Sequence, residues 1–142
     1  MAEPPDLAAA RRHLARAEAD YSTAAGLTDL EEGLERLEDV MAAGAAPEQQ
    51  IARNLATAYV TRVYGRVKRR FEADPALPET ECEHLFKLLL ALDRSSVPLP
   101  ADARALKVSV VRRLIDFYYE GHTAADKEEA IARLLEISGP ER

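Results

Sequence analysis

"IARNLATAYVTRVYGRVKRRF", residues 51–71, decides the fold class of this chain. At about 100° per residue, Ala52, Ala56, Val60, Val63, Val67 and Phe71 form one continuous apolar stripe. Steps of three and four residues meet on one side only in an α-helix. A second line, Ile51, Leu55 and Tyr59, runs directly into Arg62, Arg66 and Arg69. The same flank of the helix is thus apolar in its first half and cationic in its second. Arg70 lies beside this line and Tyr64 at the margin of the apolar stripe, while Lys68 is expected as an isolated surface charge.

Working outward, the same periodicity recurs along the chain, and no stretch sustains the period-two alternation of a strand. Leu7, Ala10, Leu14, Ala17 and Tyr21 share one face of a helix over about 5–24. Leu30, Leu34, Leu37 and Met41 do the same over 29–43, with Glu31, Glu32, Glu35, Glu38 and Asp39 on the opposite, solvated side. The third helix covers about 47–72. A fourth, over 80–93, buries Cys82, Leu85, Leu89 and Leu92.

A fifth helix, over 100–120, is apolar on two sides and is the candidate for the central position. Leu106, Val110, Leu114 and Phe117 form one side, and Val108, Val111, Ile115 and Tyr118 the other. The sixth, over 124–137, turns Ala130, Ile131, Leu134 and Ile137 inward and stops at Gly139-Pro140.

Punctuation groups these helices in pairs. Pro5, Pro47 and Pro100 stand where first helices begin, a position at which the missing N–H costs nothing. Thr28, Thr80 and Thr123 each open a Thr-x-x-acid box, with Glu31, Glu83 and Asp126 as the acids. In addition, "GLERLEDV" (33–40) echoes "AIARLLEI" (130–137), and at the same offset Tyr21 falls on Tyr118. The expectation is one all-α domain over 1–142 of about six helices. They form three antiparallel hairpins, near 5–43, 47–93 and 100–137, in a right-handed solenoid-like stack or a compact bundle.

"NLATAY" (54–59) resembles the first-helix core of a tetratricopeptide repeat, in which a Leu, a small residue and a Tyr stand as Leu55, Ala56 and Tyr59 do here. The resemblance covers these six residues. Lys68 replaces the small residue that the repeat has nine positions after the Tyr, and the units exceed its ~34-residue length. What the resemblance implies is partner binding, usually of a peptide, on a concave face made by first helices.

Composition bounds the function. A net charge of -6 opposes bulk attraction to nucleic acid or to an anionic membrane. The positive charge is concentrated in residues 51–75, which carry six Lys/Arg against two acids. No apolar run approaches the ~18 residues of a spanning helix. The N-terminal "MAEPPDL" lacks the basic and apolar regions of a secretory signal, and the single cysteine, Cys82, excludes an internal disulfide. A cytoplasmic location is expected.

Catalytic patterns are sparse. Glu81 and His84 give one Glu-x-x-His, the spacing that aims a carboxylate and an imidazole at a metal. A di-iron bundle needs a second copy, and the positions three before His13 and His122 hold Ala10 and Tyr119. Cys82 and His84, two apart, point away from each other on a helix. The six glycines are dispersed and form no phosphate loop.

The expected function is therefore a non-catalytic protein-protein interaction module, adaptor or scaffold, with no cofactor and no metal. Its docking surface lies around Tyr59, Arg62, Arg66 and Arg69, and its partner is a protein or peptide, acidic by charge complementarity. The alternatives are a weak nucleic-acid or phosphate binder through the Arg62/Arg66/Arg69 stripe, a homodimeric structural protein, and a metal-dependent enzyme using Glu81 and His84.

Overall fold

A computed structural model describes residues 4–137, and every regular element among them is helical. The helices are α1 (Pro5–Ala19), α2 (Ala24–Ala43), α3 (Ala46–Ala73), α4 (Glu79–Asp93), α5 (Ala103–Tyr118) and α6 (Ala124–Ile137). Each packs on its neighbour in sequence; α1 also meets α3, and α2 meets α4. One hydrophobic cluster draws residues from all six and makes the molecule a helical bundle.

The stripe of α3 forms as its spacing requires: Ala52, Ala56, Val60, Val63, Val67 and Phe71 are all buried. So are Leu30, Leu34 and Leu37 of α2 and Cys82, Leu85, Leu89 and Leu92 of α4. Burial on two sides, with Leu106, Val110 and Leu114 beside Val111 and Ile115, sets α5 between neighbours. Phe117 and Tyr118 differ from expectation at 40% and 47% exposed. Both stand in the last turn of α5, where Tyr118 turns its hydroxyl to Glu83 at 3.2 Å. In α6, Ala130 and Ile131 are buried and Leu134 partly so. The side chain of Ile137 and the stop at Gly139-Pro140 lie outside the described residues.

Helix starts depart from the Thr-box reading in two places of three. The cap of α2 is Thr23, whose Oγ1 accepts from Gly26 N at 3.0 Å; Thr28 lies inside the helix and donates back to Ala24 O. In α4 the cap is Pro78, which places Thr80 in the first turn. Thr123 does cap α6, accepting from Asp126 N at 3.2 Å. Pro5 and Pro47 take first-turn positions, but Pro100 precedes α5 by a turn, its carbonyl accepting from Ala103 N. A Thr-x-x-acid pattern cannot by itself separate a cap from a helix interior, because Thr can satisfy its hydroxyl on a carbonyl four residues back.

The α1–α2 pair is the tightest contact, and glycine makes it so. At Gly26 a Cβ would lie 1.9 Å from the carbonyl oxygen of Asp20. At Gly33 it would lie 2.6 Å from Leu14 Cγ. Gly65, in α3, has open space around it. Gly26→Ala should therefore lower unfolding stability by about 1–3 kcal/mol, as overpacking against immovable backbone does. Gly65→Ala should raise it by up to about 1 kcal/mol through helix propensity. Urea unfolding of the two variants beside the wild type checks both signs.

Candidate partner-binding surface

The side chains at issue stand on α3, where the second line is displaced from the buried stripe and so reaches the surface. Ile51 is 40% exposed, and Leu55 and Tyr59 are half-buried against the core margin. Arg62 then bonds both carboxylate oxygens of Glu18 through Nη1, at 2.9 and 3.0 Å, with its guanidinium 4.7 Å from the centroid of the Tyr59 ring. The bond to Glu18 raises the pKa of Arg62 above its ordinary value.

Arg66 donates to the main-chain carbonyl of Glu18, approaches its carboxylate at 3.7 Å, and lies 5.5 Å from the Tyr21 ring centroid. The last carbonyls of a helix have no partner within it, and Arg66 supplies one from another helix. Two of the three aligned arginines thus clamp the C-terminal turn of α1. Arg69 is exposed and makes no ion pair or hydrogen bond with the described residues.

The structure therefore brings Arg62 and Arg66 together on Glu18, with Tyr59 beneath the Arg62 guanidinium, and leaves Arg69 farther along the same flank. Sequence reasoning missed Glu18. A carboxylate in the last turn of a helix opposes the helix dipole and so signals a cation brought from elsewhere. That signal was hidden because α1 was expected to run to residue 24, whereas it ends at Ala19.

The opposite flank of α3 corrects a second expectation. Lys68 is no isolated surface charge, since its ammonium binds the carboxylate of Asp102, which precedes α5. Tyr64, buried at 4% exposure, donates to the other oxygen of Asp102 at 2.7 Å. Lys68 and then Tyr64, by their hydrogen bonds, hold the Asp102 carboxyl below its ordinary pKa. Burial, followed by the bond to Asp102, pushes the Tyr64 hydroxyl up.

Glu81 and His84 reach one cleft of about 600 Å³ together with Tyr21 and Arg70. Each is engaged there. Glu81 is ion-paired with Arg70, and His84 donates from Nε2 to Tyr21 O at 2.7 Å. Among the described residues no group of three or more His, Cys, Asp or Glu is placed to hold a metal ion. Cys82 is turned into the core, where burial pushes its thiol up.

The chain matches no family model, no curated protein and no solved structure. No helix among the described residues is long and apolar enough to cross a membrane.

Two outcomes follow. Glu18→Ala should release Arg62, while Arg66 keeps its bond to the main-chain carbonyl of residue 18, and should raise the salt concentration needed to elute the protein from a heparin column with little change in stability. Unchanged elution would show that Arg62 stays engaged. For Asp102, a folded pKa below the unfolded one means that its contribution is complete above the unfolded value and is lost as pH falls through the folded one. Asp102→Asn should lower the melting temperature at neutral pH, and the gap to wild type should close from about pH 4 downward in thermal scans.

Proposed function

We propose that this chain is a non-catalytic protein-interaction module of helical hairpins, which docks an acidic peptide or protein segment along one flank of α3. The observation that carries this reading is the line Ile51, Leu55, Tyr59. It is an apolar edge beginning at a residue 40% exposed and leading, past the Arg62–Glu18 clamp, to Arg69.

An aliphatic residue held open in line with an aromatic and a free guanidinium provides what an amphipathic segment with an acidic end would match. The similarity of "NLATAY" to a tetratricopeptide first helix supports a peptide partner on α3. Packing of each helix on the next supports the repeated-hairpin description. Nucleic acid is disfavoured because Glu18 already engages Arg62 and Arg66, leaving few cations to replace counterions along a phosphate backbone. A reducing cytoplasmic setting belongs to the same proposal, supported by a lone, buried Cys82.

Ile51→Asp and Arg69→Glu test the reading without touching the Glu18 clamp. Partners recovered by affinity capture with the wild type would be purified and titrated against both variants, with circular dichroism confirming the fold. Each variant should weaken a genuine docking partner by tenfold or more, about 1.4 kcal/mol. If every recovered partner binds both variants as tightly as the wild type, the proposal fails.

A further inference from the structure

At the turn that joins α1 to α2, a cleft of about 600 Å³ lies between that turn, the last turns of α3 and the start of α4. Tyr21 and Ser22 line it from the turn, Arg70 from α3, and Thr80, Glu81 and His84 from α4. Its volume falls in the ~300–1,000 Å³ range of small-molecule sites. Most such sites are apolar, whereas this one is lined by hydroxyls, charges and an imidazole beside one buried aliphatic side chain, Leu85, at 3% exposure.

The walls are fixed in advance of any ligand. Thr23 closes the turn by donating its N–H and its hydroxyl to Asp20 O, at 3.2 and 2.9 Å. His84 ties α4 to the same turn, since its Nε2 donates to Tyr21 O. Arg70 ties α3 to α4 through its ion pair with Glu81. A preformed cleft spares a ligand the entropy of ordering it.

Charge is already answered inside the cleft. Arg70 is paired with Glu81 through Nη2, and Asp74 stands 4.0 Å from its Nη1. What is left over is hydrogen-bonding capacity. The hydroxyls of Ser22 and Thr80 bond no group among the described residues. Glu81 holds Arg70 with Oε2, which leaves Oε1, and a guanidinium has N–H donors beyond the one that Glu81 takes. With Nε2 of His84 donating to Tyr21 O, Nδ1 is the remaining polar site of that ring.

We propose that this cleft binds a small neutral polyhydroxylated ligand, a sugar of one or two rings, with its hydroxyls on Ser22, Thr80 and Glu81 and its C–H face on Leu85. Neighbouring sugar hydroxyls each donate and accept, as do the Ser and Thr hydroxyls that meet them. An anion would find Arg70 taken by Glu81, and a cation would find Glu81 taken by Arg70. A zwitterion would have to break that pair to be matched. An apolar ligand would strip water from the hydroxyls and charges without replacing its hydrogen bonds. The site shares no residue with the edge from Ile51 to Arg69, so the failure of either reading leaves the other standing.

Maltose, trehalose and sucrose are the probes, with lactobionate as the anionic control, glucosamine as the cationic one and glutamine as the zwitterionic one. Binding is read from amide shifts in two-dimensional NMR of the full chain. At least one of the three sugars should bind saturably at millimolar concentration or below and at least tenfold tighter than any control, with shifts centred on Ser22, Thr80, Glu81 and Leu85. Ser22→Ala and Thr80→Val each remove a hydroxyl that holds no other described residue, so both variants should fold as the wild type does and weaken that sugar roughly threefold or more. The proposal is overturned by any of four results: no saturable binding of the three sugars, a control that binds as tightly as they do, shifts centred elsewhere in the molecule, or undiminished affinity in both hydroxyl variants.

Discussion

Helix α3 is 28 residues long and has one buried stripe with a polar clamp on each flank, and the arrangement of the other helices follows from that division. On one flank Arg62 and Arg66 hold the end of α1 through Glu18. On the other, Tyr64 and Lys68 hold the start of α5 through Asp102. Between them, the stripe from Ala52 to Phe71 joins the shared core. Apolar burial supplies the stability here, on the order of 1.5–3 kcal/mol for each large side chain. The exposed ion pairs add little each, and their contribution is register: they fix how far α1 and α5 slide along α3.

Whatever depends on local period was legible in the sequence. Six helices, the buried positions of α2, α3 and α4, and the two-sided burial of α5 all follow from i, i+3, i+4 spacing. Partners that lie far apart in the chain were not. Arg62 meets Glu18 across 44 residues and Lys68 meets Asp102 across 34, and no periodicity within one helix encodes either. Capping fell between the two. Thr23 and Thr28 sit five residues apart near the same helix start, and the choice between them rests on Gly26, whose missing Cβ lets α2 begin against the Asp20 carbonyl.

The ends of the chain differ in how firmly they are tied. Gly33 lets α2 approach Leu14 more closely than a side chain there would allow, so the first two helices pack closely, and Arg62 and Arg66 attach α3 to the end of α1. At the other end α6 makes its contacts with α5, through buried Ala130 and Ile131 and the exposed pairs Arg112–Glu128 and Lys127–Asp116. Local opening is easiest where buried apolar contacts are fewest, which places it in α6 and away from α1 to α3.

The charge balance of residues 51–75 bears on what kind of partner α3 can meet. That segment carries a surplus of four positive charges in a chain of net charge -6. Most of it is answered inside the molecule: Arg62 and Arg66 by Glu18, Lys68 by Asp102, and Arg70 by Glu81 and Asp74. A cationic segment neutralised by acids from α1, α4 and the start of α5 projects little field beyond a Debye length, so it cannot steer a polyanion from a distance. What is left for a partner is short-ranged. On the proposed reading, Arg69 and the edge that begins at Ile51 would act only on a segment already in contact, where shape and apolar match would decide before charge does.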